Sequence, residues 1–327
     1  MRVGVNPAKA VQKAPKPAPL TVVMVTYIPY TSGYYRESLD VLRLCLESLW
    51  RNTANHTFDV LVFDNASGPE ARAFLLEAHR RGHIQYLLLS RQNLGVVGAW
   101  NIAFQAAPGE IIAYADGDVY FHPGWLDASL EILETFPRVG MVTARPFLNA
   151  PKRWTATRSW AESDPEAIPA WGFYLSWEDY RDFEVSLGRP EEEVRRDYER
   201  LQKAMLKIRY RGKEAIAGAG HWQFVAYKRV LQEVLPLPYS RPMGADVARL
   251  DEALNARGYL RLMTTRMYVD HMGNRVPPAL RTKTRTSLPV RRSMGMGKRL
   301  AHWKPVRRVL LALYDRIFRL YYESGEG

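Results

Sequence analysis

The sequence contains little cysteine and no long apolar run, and both absences restrict the kind of protein that it can encode. Cys45 is the only cysteine among the 327 residues. An internal disulfide and a cysteine-based zinc site are therefore excluded, and a cytoplasmic location is expected because the cytoplasm is reducing. No run of eighteen or more apolar residues occurs, so the sequence predicts no transmembrane helix.

Glycine-rich phosphate loops are also missing. No Gly-x-Gly-x-x-Gly follows the first predicted strand, and no Gly-x-x-x-x-Gly-Lys occurs in the sequence. The dinucleotide-binding and P-loop interpretations therefore lose their main support. A nucleotidyltransferase-like domain would need a glycine-rich, basic loop after that strand. The loop Ile28–Tyr35 contains one glycine and neither Lys nor Arg.

Positive charge is in excess, and much of it lies near the carboxyl end. The chain has 46 Lys and Arg against 34 Asp and Glu, a net charge of +12. Arg275–Arg308 contains eleven of the basic residues and no acidic residue. Such a segment favours anionic partners. Residues 1–19 are basic and rich in Pro and Ala, without the apolar core of a secretory signal, and we predict a disordered leader there.

Strands and helices alternate at short spacing through the first 120 residues. The apolar runs that are typical of buried strands are Leu20–Tyr27, Asp59–Asp64, Ile84–Ser90 and Ile111–Ala115. Helical periodicity between them predicts an α/β fold with a Rossmann-type, mostly parallel sheet flanked by helices. Ligands of such sheets bind beyond the carboxyl ends of the strands, where Tyr27, Asp64 and Asp116 are expected.

An Asp-Gly-Asp sequence closes the fourth predicted strand. Asp116 and Asp118 would repel each other at the end of a buried strand, and a divalent cation such as Mg²⁺ or Mn²⁺ removes that cost. Gly117 allows the tight turn that lets both carboxylates face one point. The alternative is an ordinary strand-end turn, because Asp-Gly is a common turn dipeptide.

The regular alternation stops after residue 145, and tryptophan becomes frequent. The stretch 146–214 contains Trp154, Trp160, Trp171 and Trp177, and a charged helix is predicted over Pro190–Arg209. We interpret it as a helical, Trp-rich insertion whose aromatic cluster forms either a small satellite core or a set of sugar-stacking faces. Apolar spacing over 306–322 predicts an amphipathic C-terminal helix.

The motifs occur in an order that resembles one enzyme family. A strand ends in Thr-Tyr, a second ends in Asp-Asn-Ala-Ser, and Arg-Gln-Asn-Leu-Gly-Val-Val-Gly-Ala-Trp-Asn precedes Tyr-Ala-Asp-Gly-Asp. A Gly-x-Gly segment, an acidic helix that ends in Gly-Tyr and a late His follow. The chain thereby resembles the family-2 glycosyltransferases of the GT-A fold. The resemblance is clear over Leu20–Val142 and weaker over Ala215–Asn274.

The resemblance implies a domain organisation and an activity. A leader (1–19) precedes a GT-A domain (20–274), and a basic extension (275–327) follows it. The GT-A domain consists of a nucleotide-binding half (20–145), the insertion (146–214) and an acceptor half (215–274). The implied enzyme is a hexosyltransferase-like glycosyltransferase. It would move a sugar from a nucleotide-diphosphate sugar to an acceptor hydroxyl with inversion, using Mn²⁺ or Mg²⁺, in polysaccharide or glycolipid biosynthesis.

The resemblance also implies roles for individual residues. The base pocket would be lined by Thr26 and Tyr27, and Asp64 would bind the base or the ribose. The nucleotide wall would be shaped by Asn93, Gly95 and Asn101. The ribose and the metal would be held by Asp116, Gly117 and Asp118, with His271 as a further metal ligand. His271 also has a purely structural alternative.

The general base is expected on a helix predicted over Met243–Arg257. The family has an acidic pair at the start of this helix, but here the first acid is replaced by Ala245. Asp246 is therefore the first candidate and Asp251 the second. A helix cap or a solvated face is the structural alternative for both. His221 and Trp222 are candidate acceptor-facing residues.

The basic extension allows two other classes of function. It could bind nucleic acid through its positive charge and aromatic residues, although the acidic residues at the sheet edge would repel a polyanion. It could instead make peripheral contact with the anionic inner face of a membrane. That contact would suit a lipid-linked acceptor, whereas a sugar or protein acceptor would not need it.

Overall fold

The computed structural model describes residues 14–53, 55–239 and 245–281, together with positions 4, 6, 309, 312–313 and 316–317. Pro17–Pro289 form one compact unit, and Met1–Lys16 with Val290–Gly327 form a second. Most of the basic extension and of the helix predicted over 306–322 lies outside the described residues. The five positions of that predicted helix that are described are all helical.

The amino-terminal part of the large unit alternates strands and helices, as predicted. In chain order its elements are β1 (Leu20–Thr26), α1 (Ser38–Asn52), β2 (Phe58–Asn65), α2 (Pro69–Arg80), β3 (Tyr86–Ser90), α3 (Gly95–Ala106) and β4 (Ile111–Asp116). These four strands are parallel and lie in the order β3-β2-β1-β4. A parallel order with helical crossovers is what near-continuous apolar runs favour.

The remaining elements are shorter and more varied. The strands are β5 (Val119–Phe121), β6 (Val139–Thr143), β7 (Ile168–Gly172), β8 (Met205–Tyr210), β9 (Lys213–Ala217), β10 (Gln223–Tyr227), β11 (Leu260–Met263) and β12 (Val269–His271). The helices are α4 (Trp125–Thr135), α5 (Thr155–Ser163), α6 (Trp177–Ser186), α7 (Glu191–Tyr198), α8 (Lys228–Val234) and α9 (Ala248–Ala256). Within the described ranges, no helix combines the length and the apolar character that a membrane span requires.

The strands form one large sheet and one small sheet. The large sheet has the order β3-β2-β1-β4-β10-β6-β11-β9-β8-β7, in which β10, β9 and β7 run antiparallel to the other strands. The small sheet pairs β12 with β5 directly after the Asp-Gly-Asp turn. The mostly parallel α/β architecture that the sequence predicted is confirmed.

The two faces of the large sheet carry separate apolar layers, and β1 shows why. Val22 and Met24 pack in the layer that contains α1, α2 and α4. Val23 and Val25 pack on the opposite side with α3, α8 and α9. Successive side chains of a strand point to opposite faces, so a strand covered on both sides must be apolar throughout.

The helix predicted over Pro190–Arg209 is wrong in its second half. Helix α7 ends at Tyr198, and β8 begins at Met205. In β8, Leu206 and Ile208 are buried while Arg209 is exposed, which is the period of a strand rather than of a helix. The insertion therefore adds β7 and β8 to the large sheet beside its helices.

Two other boundaries differ from the sequence analysis. The apolar residues of Tyr259–Val269 are typical of one strand, but this stretch is divided into β11 and β12, which belong to different sheets. Ala18 and Pro19, at the end of the predicted leader, are already hydrogen-bonded into the fold. The Ala18 amide donates to Asp59 (2.9 Å), and the Pro19 carbonyl accepts from Glu110 (2.8 Å).

The tryptophans of the insertion take part in packing. Trp154 is buried, and its indole nitrogen donates to the Asn149 carbonyl (3.2 Å). Trp160 packs edge-on against Tyr210, with ring centroids 5.2 Å apart. These contacts support the satellite-core alternative for both residues, whereas Trp171 keeps 43% of its surface exposed.

The backbone of Gly68 packs against the loop that follows β1. Its amide donates to the Ile28 carbonyl (2.8 Å), and a Cβ atom at this position would overlap the carbonyl oxygen of Pro29. We expect Gly68→Ala to lower the free energy of unfolding by about 1–3 kcal/mol, because the loop must move. Ala73→Ser, an exposed change in α2, the helix that begins directly after Gly68, should alter this free energy by less than about 0.5 kcal/mol. Urea denaturation measures the free energy of unfolding of both variants, and equal changes in the two would contradict the prediction.

Candidate active site

A cavity of about 640 Å³ opens at the carboxyl ends of β1 and β4. This volume lies within the range of small-molecule sites. Six of the residues predicted from the sequence line it together: Thr26, Tyr27, Asn93, Asp116, Gly117 and Asp118. The position at the strand ends is the one expected for a sheet of this topology.

A group of tyrosines forms one wall of the cavity. The ring of Tyr35 is met edge-on by Tyr27, Tyr30 and Tyr34, with centroid distances of 6.1, 5.3 and 5.1 Å. Tyr27 and Tyr34 line the cavity and remain 37% and 65% exposed. Burial raises the pKa of Tyr35. The exposed rings offer flat apolar faces on which a planar base can stack.

The two carboxylates of the Asp-Gly-Asp turn line the same cavity. Asp116 accepts a hydrogen bond from the Tyr114 hydroxyl (2.5 Å). For Asp118, Oδ2 lies 3.4 Å from Nε2 of His271. The Oδ1 atom of Asp118 is buried and has no hydrogen-bond partner among the described residues. A buried acceptor of this kind is costly unless something binds it.

The proton affinities of these groups follow from their surroundings. Burial and the charge of Asp118 raise the pKa of Asp116 to about 7, and burial raises the pKa of Asp118 to about 7. Burial lowers the pKa of His271, so its neutral form is favoured. Raised carboxyl pKa values and a neutral imidazole create a site that a cation stabilises.

The residues present fit a divalent cation that shares its coordination with a substrate. Among the described residues, no group of three or more His, Cys, Asp or Glu side chains forms a complete metal cage. Asp118 nevertheless offers an unpartnered oxygen, with Asp116 and His271 beside it. Mg²⁺ in proteins is commonly held by one or two carboxylates and completed by substrate phosphates.

The structure adds Asn65, which the sequence analysis did not select. Its Nδ2 donates to Asn93 Oδ1 (3.0 Å) and to the Gly95 carbonyl (3.1 Å), and its Oδ1 accepts from the Leu94 amide (2.8 Å). These bonds fix the start of α3, where Gly95 has a positive φ of 72°. The feature of the sequence that could have identified Asn65 is its position directly after Asp64, at the end of β2.

Asp64 and Asn101 do not line the cavity. Asp64 is fully buried, and its two oxygens lie within reach of the Ser67 amide (3.0 Å) and of Arg72 (3.4 Å). The side-chain amide of Asn101 makes two bonds of 2.8 Å to the backbone of Leu237. Both residues thus stabilise loops, and their predicted contacts with a nucleotide stay predictions.

The two candidate bases occupy different surroundings. Asp246 lies in a short 3-10 turn (Ala245–Val247), forms an ion pair with Arg249 (3.0 Å) and lines a separate cavity beside α8 and α9. Asp251 is 1% exposed, between Arg261 (2.8 Å) and Nδ1 of His221 (3.2 Å). Its carboxylate therefore has no open path to a substrate.

The predicted acceptor residues lie beside the carboxylates. The carbonyl of Trp222 accepts from the amide of Asp116 (2.8 Å). The indole of Trp222 packs near His271, with ring centroids 5.7 Å apart, and its N–H has no hydrogen-bond partner among the described residues. The strand pairing of β10 with β4 thus brings His221 and Trp222 to the edge that carries Asp116.

Comparison with protein families finds a match to part of the chain. Residues 33–187, which are 155 of the 327 residues, match the family Glycosyl transferase family 2. This match supports the resemblance to family-2 glycosyltransferases that the motif order suggested. No curated protein sequence matches the chain.

Two solved structures share similarity with much of the chain. TarS 1-349 from S. aureus has 12% sequence identity and a TM-score of 0.42, over 76% of this chain and 59% of that chain. GalNAc-T7 with UDP, GalNAc and Mn²⁺ has 15% identity and a TM-score of 0.46, over 78% of this chain and 44% of that chain. The chain thus spans about half of the length of these two proteins.

The raised carboxyl pKa values predict that metal binding releases protons. At about pH 6 both carboxyl groups hold part of their protons, whereas at about pH 8 they are mostly ionised, and a cation binds the ionised form. We expect Mn²⁺ to bind more tightly as the pH rises from about 6 to 8, with fewer protons released at the higher pH. Calorimetry in two buffers of different ionisation enthalpy measures both quantities. An affinity that does not change with pH would contradict the assignment.

The hydrogen bonds between Asn101 and Leu237 predict that removing the Asn101 side chain lowers the stability of the fold. Asn101→Ala leaves a backbone amide and a carbonyl without their partner, so we expect the free energy of unfolding to fall by about 1–3 kcal/mol. Gln105→Ala, an exposed change on the same helix, should have an effect within about 0.5 kcal/mol. Urea denaturation measures the difference, which should vanish if these bonds do not form.

Proposed function

We propose that the chain transfers a sugar from a nucleotide-diphosphate sugar to an acceptor hydroxyl, with inversion and with a divalent cation. One observation carries this proposal. A single cavity is lined both by exposed tyrosines and by two carboxylates, of which Asp118 has an unpartnered oxygen. A nucleotide sugar needs both kinds of contact, because it has a flat base and an anionic diphosphate.

The tyrosine wall is suited to the nucleobase. Tyr27 and Tyr34 present exposed ring faces, and Thr26 lies beside them at the end of β1. Asn65 and Asn93 also line the cavity, and their hydrogen bond and their bonds to the start of α3 hold them in place. A rigid aromatic slot reduces the entropy lost when the base is bound.

The two carboxylates of the cavity are suited to the ribose and the diphosphate. Asp118, Asp116 and His271 would hold the cation, which supplies positive charge against the diphosphate leaving group. Arg36, Glu37 and Arg275 line a smaller cavity that shares Tyr34 and Asn274 with the main one, and its two guanidinium groups outnumber its single carboxylate. The carboxylate of Asp116 can accept a hydrogen bond from a ribose hydroxyl.

The acceptor would approach from the side of His221 and Trp222. The N–H group of Trp222 is buried and has no partner among the described residues, whereas the side chain of His221 is 26% exposed. Inversion requires a single displacement in which the acceptor hydroxyl loses its proton to a base. The acceptor can be a sugar, a lipid-linked sugar or a protein, and the membrane contact predicted for the extension falls mostly on residues that the structure does not describe.

Calorimetric titration with UDP, GDP and dTDP tests the donor site. Each nucleotide is added with Mn²⁺, with Mg²⁺ and with EDTA, to the wild type, to Asp118→Asn and to Asp127→Asn. We expect one nucleotide to bind with metal, and at least about tenfold more weakly, or ~1.4 kcal/mol, with EDTA or in Asp118→Asn. Asp127 is an exposed residue of α4 outside the cavity, so Asp127→Asn should bind like the wild type.

Two results would contradict the proposal. If none of the three nucleotides binds under any condition, the chain has no site for a nucleotide-sugar donor. If a nucleotide binds equally well with EDTA and in Asp118→Asn, the Asp-Gly-Asp turn holds no metal, and a metal-dependent reaction is excluded.

A further inference from the structure

A tight turn fixes the position of His221 beside the donor cavity. Gly220 and Gln223 form an isolated antiparallel bridge, and His221 and Trp222 lie between them at the tip. The Thr143 hydroxyl binds both ends, because it accepts from the Gly220 amide (2.7 Å) and donates to the Gln223 carbonyl (2.9 Å). A side chain at Gly220 would collide with the indole of Trp222, so the turn has little freedom to change shape.

This turn is joined directly to the Asp-Gly-Asp strand. The amide of Asp116 donates to the Trp222 carbonyl (2.8 Å), and Gln223 is paired with Ala115 across β10 and β4. His221 therefore projects from the same edge of the sheet as the carboxylates that would hold the donor. An acceptor hydroxyl that attacks the donor sugar must approach this edge.

A buried carboxylate orients the imidazole of His221. Nδ1 lies 3.2 Å from Oδ2 of Asp251, while the side chain as a whole is 26% exposed. The ring also packs edge-on against Trp100, with centroids 6.2 Å apart. No hydrogen bond joins Nε2 to any described residue. An Asp that holds one ring nitrogen leaves the other free to take a proton, which is the arrangement of a general base with its orienting group.

The same geometry explains why Asp251 does not act on the substrate directly. It is 1% exposed, and the fully buried Arg261 (2.8 Å) and the more distant Arg153 (3.9 Å) pair with its carboxylate. The two guanidinium groups hold the carboxylate in place, and the carboxylate in turn fixes the orientation of the imidazole of His221.

We propose that His221 is the catalytic base of the transfer and that Asp251 is its positioning residue, an inference that rests on the proposed function. As the acceptor oxygen bonds to the anomeric carbon, the bond from that carbon to the diphosphate oxygen breaks, and the leaving group takes the electron pair. The hydroxyl proton passes to Nε2 of His221. The imidazolium then returns the proton to water, because the side chain is partly exposed.

Asp246 is the competing base. Its ion pair with Arg249 and its separate cavity beside Val234 and Leu237 place it apart from the turn that carries His221. The two assignments differ in which single substitution lowers turnover, so one set of variants decides between them.

The test uses the full chain and the UDP-, GDP- or dTDP-sugar whose nucleotide binds in the calorimetric titration. Release of the nucleoside diphosphate is measured for the wild type, His221→Ala, Asp251→Asn, Asp246→Asn and His56→Ala, with water and with added monosaccharides as acceptors. His56→Ala is the matched control, because His56 also pairs with a carboxylate, that of Asp127 at 2.7 Å, but lies outside the cavity.

We expect His221→Ala to lower kcat by about 100-fold or more, with the donor KM and the calorimetric affinity within about twofold of the wild type. Added imidazole should restore part of the activity of His221→Ala and none of that of Asp251→Asn. Asp251→Asn should lower kcat by about tenfold or more without changing the donor KM. His56→Ala should turn over like the wild type.

Several results would overturn the assignment. It fails if His221→Ala turns over like His56→Ala, if imidazole restores nothing, if His221→Ala has lost its donor affinity, or if Asp246→Asn alone lowers kcat. If the wild type releases no nucleoside diphosphate from any of these sugars, the proposed function fails and this inference with it. Asp251→Asn leaves Arg261 buried without its counter-charge, so circular dichroism checks its fold, and His221→Ala decides the assignment.

Discussion

The repulsion between Asp116 and Asp118 is the constraint on which the rest of the site depends. Asp116 ends a strand in the middle of the large sheet, and Asp118 follows it by two residues in the turn, where partial burial raises the pKa of both carboxyl groups. The fold tolerates them because Tyr114 donates to Asp116 and His271 lies beside Asp118. The remaining cost disfavours the form in which both carboxylates are ionised. The cation binding that we propose would remove the same cost.

A second charged group lies buried behind the acceptor side. Arg261 is completely inaccessible, and it binds the carbonyls of Ala219 and Arg153 besides the carboxylate of Asp251. A buried ion pair seldom adds much to stability, because desolvation offsets the attraction. Its effect here is geometric. It joins α9 and β11 to the segment that leads into the turn of His221, and it fixes the direction of the Asp251 carboxylate.

The sequence allowed the parallel half of the sheet to be predicted, because buried parallel strands are apolar at every position and their ends are marked by polar residues. Thr26, Tyr27, Asp116 and Asp118 were found for this reason. Strand β8 was missed because its outward-facing Lys207 and Arg209 give it the charge density of a surface helix. Asn65 was overlooked beside Asp64, although only Asn65 faces the cavity.

The relation between His221 and Asp251 could not be read from the sequence. The two residues are 30 positions apart and come from different elements, and only the packing of α9 in the same apolar layer as β10 brings them together. Each was selected separately, one as an acceptor residue and the other as a base. A contact of this kind depends on tertiary structure, which neither periodicity nor spacing encodes.

The position of β10 has a consequence for where this protein can be divided. The strand lies between β4 and β6, although it begins 80 residues after the end of β6 in the chain. Its Val225 pairs with Val142 of β6 on one side and with Ala113 of β4 on the other. The segment 33–187, which matches the family, contains neither β10 nor β1, so its sheet would be split by a gap next to the Asp-Gly-Asp turn. His122 and Asp270 are likewise bonded across 148 positions. Folding must close these long loops before the site exists. The segment from β1 to β12 is therefore expected to fold as one unit.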